Sequence, residues 1–286
     1  MDQKDWFMIT ILNEEKNITR TASKLYVSQP SLSYRLKKLE EEFGVHLFFK
    51  TKRGLAFTSE GEYLVQYARE MLTKLQTTKD IMKNMDDEVT GTLRIGASGN
   101  FAQYVLPKLL NNFSLEYPNV NFNVHTGLST QVMEQLHSSS VHVGIVRNND
   151  SWRGNKHLLS EEQLYLISKK KIDLNKLPEY SLINYHTDVS LEGSITNWWH
   201  DQFSEPPNVK MEVDRLETCK EMVKNDFGFA VVPGICLQAS DNLNAVGLHF
   251  KDGTPVKRKT WLMFKQPASE LAVVRHFIEY VKTWSE

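Results

Sequence analysis

Residues 18–40 constrain this chain more than any other stretch. Ile18-Thr19-Arg20-Thr21-Ala22-Ser23-Lys24-Leu25 reads as a short helix, Tyr26-Val27-Ser28 as a turn, and Gln29-Pro30-Ser31-Leu32-Ser33-Tyr34-Arg35-Leu36-Lys37-Lys38-Leu39-Glu40 as a second helix. Two helices at a sharp turn, the second with a polar and basic side, have the layout of a helix-turn-helix. Double-stranded DNA is therefore the first partner to expect.

The local chemistry agrees. Ser28 is a good N-cap, and Pro30 lies in the first turn, where its missing N–H costs nothing. Leu32, Leu36, Leu39 and Phe43 recur at helical spacing and mark the face expected to be buried. Thr19, Ser28, Gln29, Pro30, Ser31, Ser33, Tyr34, Arg35, Lys37 and Lys38 are then the candidates for the DNA side. Gln pairs bidentately with adenine, and Ser bonds to several bases. An earlier helix is predicted over about residues 4–13, with Trp6, Phe7, Ile9 and Leu12 apolar. Gly44 should end the second helix of the pair. Val45-His46-Leu47-Phe48-Phe49, then Lys50-Thr51-Lys52-Arg53-Gly54, then Leu55-Ala56-Phe57-Thr58, predict a two-stranded wing. Its Lys50, Lys52 and Arg53 would meet phosphate, which positions the module without reading sequence.

The formal net charge of −1 excludes a globally basic DNA coat, yet residues 16–53 hold nine Lys/Arg against three acids. The positive charge is concentrated where the helix-turn-helix lies. At 286 residues the chain is too long for one typical core. No run approaches the ~18 apolar residues of a membrane span. The polar start Met1-Asp2-Gln3-Lys4-Asp5 does not look like a signal peptide. Two cysteines, Cys219 and Cys236, supply no disulfide framework, so a cytoplasmic location is expected.

Ser59 and Glu62 have capping-box spacing. Leu64, Ala68, Met71, Leu75, Thr78, Met82 and Met85 follow at alternating steps of four and three, a heptad seam. Within a linker of residues 59–90, a helix over 59–88, about 45 Å long at 1.5 Å per residue, is predicted to pair with a second copy through Leu64, Ala68, Met71, Leu75 and Met82. A dimer would place two recognition helices on a two-fold DNA site.

Beyond Gly91 strands and helices alternate. The predicted elements are strands 92–97, 120–125 and 141–146 with helices 102–117 and 129–137. The scheme then repeats with strand 181–184, helix 190–203, strand 209–213, helix 216–225 and strand 229–233. Such alternation predicts parallel sheets with helices on both faces, in two lobes joined by crossovers at 163–168 and 260–265. Ligands of open α/β sheets bind beyond the carboxyl ends of strands. Ser98, Gly99, Asn100, Ser129, Thr130 and Arg147 are the effector-site candidates on that rule, with Tyr185, His186 and Thr187 at a strand end of the second lobe, and Arg258, just before the second crossover strand, would reach the site from the other side. The hydroxyls and N–H groups would hold an anion, and the guanidinium groups would pair with a carboxylate. Two of the three charges in Lys257-Arg258-Lys259 are expected to be solvated.

The residues quoted resemble a known family. Thr21-Ala22-Ser23, Leu25, Val27-Ser28-Gln29-Pro30-Ser31-Leu32-Ser33, Leu36, Leu39-Glu40, Phe43-Gly44-Val45, Leu47-Phe48 and Thr58-Ser59-Glu60-Gly61 are similar to the winged helix-turn-helix of LysR-type transcriptional regulators. Tyr34 departs from the Arg, Gln or His that many members carry. The resemblance implies an N-terminal all-α winged helix-turn-helix (residues 1–58), the long linker helix (59–90), and an α/β effector domain (91–286) shaped like a two-lobe periplasmic solute-binding protein. Its lobes would take 91–162 with 266–286, and 163–265. The resemblance also implies homodimers, homotetramers built from them, and RNA polymerase as a further partner. Val213-Asp214, Leu216-Glu217-Thr218-Cys219-Lys220-Glu221-Met222-Val223 and the placement of Ser98, Arg147 and Arg258 resemble the citrate-responsive catabolite-control regulators of low-GC Gram-positive bacteria. That implies a small di- or tricarboxylate effector, citrate first, with an amino acid, a sulfur metabolite or thiol oxidation as the alternative signals.

Two other classes compete. A solute-binding protein fits the C-terminal pattern but not the basic N-terminal module. An enzyme with Cys219 as nucleophile lacks a nearby His in sequence, and no Gly-rich nucleotide loop, metal-ligand spacing or G-x-S-x-G motif is present. No metal or cofactor is expected.

Overall fold

In the computed structural model, which describes residues 1–51, 54–83, 89–147 and 152–284, the chain divides into two compact units. One is built on Met1–Met85 and the other on Asp86–His137 and Val141–Glu286. The first begins with α1 (Gln3–Glu15), opened by a reciprocal cap between Asp2 and Asp5. That cap explains why the helix starts earlier than its apolar residues indicate. Met8, Ile9 and Leu12 are buried, whereas Phe7 is 51% exposed and does not join the core as expected.

Helix α2 (Ile18–Lys24) and helix α3 (Gln29–Phe43) complete the three-helix core. Ser28 Oγ accepts the Ser31 N–H, and Gly44 at φ 67° ends α3 in the left-handed conformation. Leu32, Leu36 and Leu39 are buried as their spacing requires, but Phe43 is 45% exposed because no described element covers the last turn of α3. Strands β1 (Phe48–Thr51) and β2 (Gly54–Phe57) form the antiparallel wing.

Helix α4 (Ser59–Lys83) is capped by Thr58, not by the Ser59–Glu62 pair. Thr58 Oγ1 accepts the Gly61 N–H at 3.0 Å and donates to His46 O at 2.8 Å. Gly61 has a separate constraint: a Cβ there would lie 1.9 Å from the Leu47 carbonyl oxygen. Leu64 and Ala68, expected to face a second copy, are 5% and 0% exposed inside their own unit, in the cluster that contains Met8, Ile9 and Leu12 of α1. The first half of the seam therefore belongs to the domain core. Met71 and Leu75 are half-buried and Met82 is 67% exposed; Met85 lies outside the described residues.

The second unit runs β3 (Gly91–Ser98), α5 (Gly99–Tyr104), α6 (Leu106–Glu116), β4 (Val120–Gly127), α7 (Ser129–His137), β5 (Val143–Arg147), β6 (Asn155–Ser168), β7 (Leu182–Tyr185), α8 (Val189–Gln202), β8 (Val209–Val213), α9 (Leu216–Lys224), β9 (Phe229–Pro233), β10 (Asn244–Gly247), β11 (Lys257–Phe264), α10 (Gln266–Ser269) and α11 (Ala272–Thr283). The single helix expected over 102–117 is two, broken at Val105 (φ −120°), where Pro107 removes a backbone donor.

The strand order is β4-β3-β5-β11-β6-β9-β7-β8, with β10 paired to β6. β3 pairs in parallel with β4 and β5, and β7 with β8 and β9. The two crossover strands are longer than predicted, pair antiparallel with each other, and run antiparallel to β5 and β9. The sheet is thus mixed, because a chain that leaves one lobe and returns must run in both directions. One core gathers β3, α5, α6, β5 and α11 around Phe113 and Phe277, and a second gathers β6, β7, α8, α9 and β9 around Trp198, Trp199 and Phe229. Alternate residues of β5 face opposite ways: Val143 and Ile145 toward the first core, Val146 toward Val132 and Leu136 of α7. A Cβ on Gly96 would stand 2.9 Å from Val132 Cγ1, so the absent side chain lets α7 lie close on the sheet.

Candidate functional site

On the first unit the exposed side of α3 carries Gln29, Pro30, Ser31, Tyr34, Lys37 and Lys38, with Thr19 exposed on α2. Ser28 is exposed but its hydroxyl is engaged as the cap, and Ser33 is half-buried. Lys38 Nζ stands 5.3 Å from the centre of the Tyr34 ring, and Lys37 Nζ is 3.7 Å from Glu41. Arg35 does something else. Its Nε pairs with the buried Asp5 and its Nη2 donates to both carboxylate oxygens of Asp2 at 2.9–3.0 Å. This ties α3 to the start of α1, so Arg35 already has two carboxylate partners within the domain while its side chain stays 41% exposed. Lys50 lies on β1 opposite Leu55; Lys52 and Arg53 lie outside the described residues.

On the second unit a cleft of about 370 Å³ opens beyond the carboxyl ends of β3, β4, β5, β7 and β8. Ser98, Gly99, Asn100, Ser129, Arg147, Thr187 and Arg258 all line it, and Thr130 does not. Thr130 is exposed on α7, one position round from the inward-facing Ser129, and Gln131 takes its expected place. The hydroxyl of Ser98 makes no helix cap; it accepts from Arg147 Nε at 3.3 Å. Ser129 Oγ accepts the Arg147 backbone N–H at 3.3 Å. Arg258 is inside β11 and only 3% exposed, whereas its neighbours Lys257 and Lys259 are exposed.

The two arginines do not stand alone. Arg147 Nη1 pairs with Glu162, which also lies 4.0 Å from Arg258 Nε and accepts the Ile235 N–H at 2.7 Å. Arg258 Nη2 donates to Asp188 Oδ2 at 3.0 Å, while Asp188 Oδ1 caps α8 through the Leu191 N–H at 2.9 Å. Among the described residues Arg258 Nε and Nη1 are buried without a hydrogen-bond acceptor. Sequence reasoning missed Glu162, Asp188 and Arg215, and it noted Asp214 and Glu217, which also line the cleft, only for the family resemblance. Asp188 carried a signal, an acid just before a helical pattern; Glu162 carried none.

Cys219 and Cys236 are both buried, and burial pushes each thiol up to about 12. Burial of this kind disfavours the thiolate, the form of cysteine that acts as a nucleophile. Close by, Lys220 donates at 2.6 Å to Asp241 and to the Cys236 carbonyl. Burial raises the Asp241 carboxyl, but the bonds from Lys220, the Gln238 N–H and Lys224 outweigh it and hold the group at about 2. Among the described residues no group of His, Cys, Asp and Glu is placed to hold a metal, and no helix is long and apolar enough to cross a membrane.

A winged helix-turn-helix with a polar, basic recognition helix, joined to an α/β unit with a charged cleft, has the organisation of a DNA-binding transcriptional regulator with an effector-binding domain. Residues 8–62 match the family described as the bacterial regulatory helix-turn-helix protein, lysR family, and residues 86–286 match the LysR substrate binding domain. The chain belongs to the LysR family of transcriptional regulators and is not an enzyme. It is 50% identical over 282 residues to the HTH-type transcriptional regulator YraN of Bacillus subtilis (strain 168), covering 99% of this chain and 98% of that protein. It is 32% identical over 284 residues to YkuM of the same organism, covering 99% and 97%. Full-length CbnR complexed with its target DNA shares the fold at a TM-score of 0.73, with 20% identity and 99% of both chains covered.

Proposed function

We propose that the cleft binds a small di- or tricarboxylate, citrate first, and that its occupancy changes how a dimer of this chain holds promoter DNA. The observation that supports this is the pair Arg147 and Arg258, 2% and 3% exposed, which reach the cleft from two different strands. A planar guanidinium recognises carboxylate bidentately. The ligand shifts the regulator only by binding one arrangement better than another. The partners are promoter DNA, a second copy, a tetramer built from two dimers, and RNA polymerase at the promoter, all in the cytoplasm. Self-association is supported by the exposed apolar edge at Met82 and by a groove lined by Phe43, Val45, Tyr63 and Tyr67. Charge supports it as well. Helix α4 carries Glu60, Glu62 and Glu70 against Arg69 in its first half and Lys74, Lys79 and Lys83 against Asp80 in its second, so each half keeps a net charge of opposite sign and two antiparallel copies are complementary.

A thermal-shift titration of the full chain with citrate, isocitrate, malate and several amino acids tests the reading. A ligand that binds only the native state raises the melting temperature with concentration. The expected result is a rise with citrate that is lost in Arg147→Lys and reduced in Ser98→Ala. An unchanged melting temperature with every carboxylate, or a rise with an amino acid alone, overturns the effector class.

A further inference from the structure

Four charged groups form a chain at the floor of the cleft: Asp188, Arg258, Glu162 and Arg147. Two cations face two carboxylates, so an incoming anion meets arginines that already have counter-charges. The two resident acids are not equivalent. Glu162 is held from behind by the Ile235 N–H at 2.7 Å and does not line the cleft. Asp188 does line it, together with Arg258. Its two oxygens are divided: Oδ1 caps α8 at 2.9 Å, and Oδ2 holds Arg258 Nη2 at 3.0 Å. One oxygen can therefore give up Arg258 while the other keeps the helix start in place.

We propose that Asp188 is a built-in competitor of the effector: its carboxylate occupies the ligand's position on Arg258, and an anionic effector binds by taking its place. This rests on the carboxylate reading of the cleft and adds the residue that sets its affinity. In the exchange Arg258 trades one carboxylate for another, and Asp188 keeps its cap on α8. Arg258 lies on the crossover strand β11 and Asp188 at the start of α8. The exchange thus replaces a protein tie between those two elements by one that exists only while ligand is bound. Removing the charge of Asp188 also removes its repulsion toward the ligand, which is strong at short range in a partly buried site.

The test is calorimetric titration of the full-length protein with citrate, malate and acetate, for wild type, Asp188→Asn and Asp188→Ser. Asn and Ser are both good N-caps, so two substitutions keep the helix start and remove the charge. Citrate affinity is expected to rise at least about tenfold in both variants, with a smaller gain for malate and the smallest for acetate, because the gain follows ligand charge. A structural role alone would not produce that order. Wild type that binds citrate beside folded variants that bind it equally or more weakly overturns the role of Asp188 and leaves the cleft reading standing. No heat with any of the three anions in any protein overturns both.

Discussion

Gln29 is the first residue of α3 and exposed, at the helix end that in helix-turn-helix proteins contacts base edges in the major groove. Lys38 lies further along, exposed and beside the Tyr34 ring. The two side chains are expected to act differently on DNA. Gln29→Ala is expected to lower discrimination between target and altered sites by about 1–3 kcal/mol at one base pair. Lys38→Ala is expected to weaken binding to every sequence alike and to reduce the salt slope by about one. Titrations of both variants on a target and a scrambled duplex at several salt concentrations check this; an equal loss on both duplexes for Gln29→Ala would remove it from base readout. Arg35 shows where residue type alone misleads. A basic side chain in the middle of a recognition helix was expected on the DNA side, yet it is closed on Asp2 and Asp5. Those acids lie some thirty positions earlier in the chain, and no local pattern links them to it.

Helix α4 has two halves with different tasks. Its first half is the last wall of the N-terminal core, with Leu64, Val65 and Ala68 buried. Its second half presents Met71, Leu75 and Met82 with less cover. The heptad period was legible in the sequence; which stretch of it stays within the chain was not, because a seam looks the same to a partner helix in cis or in trans. The halves can be separated by experiment. Ala68→Leu should overpack the contact with α1 and destabilise the N-terminal unit by about 1–3 kcal/mol. Met82→Glu should leave that stability within about 0.5 kcal/mol of wild type and shift sedimentation toward monomer. A Met82→Glu protein that remains fully associated would move the interface elsewhere.

At the scale of the whole molecule, acid should unfold the C-terminal unit through one buried imidazole. His142 is 3% exposed, and its Nδ1 accepts the Arg94 N–H at 3.2 Å. Burial, aided by the charge of Arg94, depresses its pKa from 6.5 to about 3. The unfolded chain therefore binds a proton below pH 6.5 that the folded chain refuses, and stability is lost as pH falls from 6.5 toward 3. Urea unfolding followed by the fluorescence of the C-terminal unit should show this loss, and His142→Gln should flatten it across that window. An identical pH profile in the variant would assign the acid sensitivity to carboxylates such as Asp241.

The sequence by itself determined the helix-turn-helix, the alternation of strands and helices, and the rule that places Ser98, Arg147 and Thr187 at one end of the strands. Those features follow from local periodicity, caps and breakers, which act over a few residues. Only the tertiary structure decided that Arg35 is a tie, that Ala68 is core, that Thr130 turns away from the cleft, and that Arg147 and Arg258 come with Glu162 and Asp188. Each of these depends on which distant segment fills the space beside a residue. A buried charge has to find its counter-charge wherever the fold brings one, and sequence distance carries no record of that pairing.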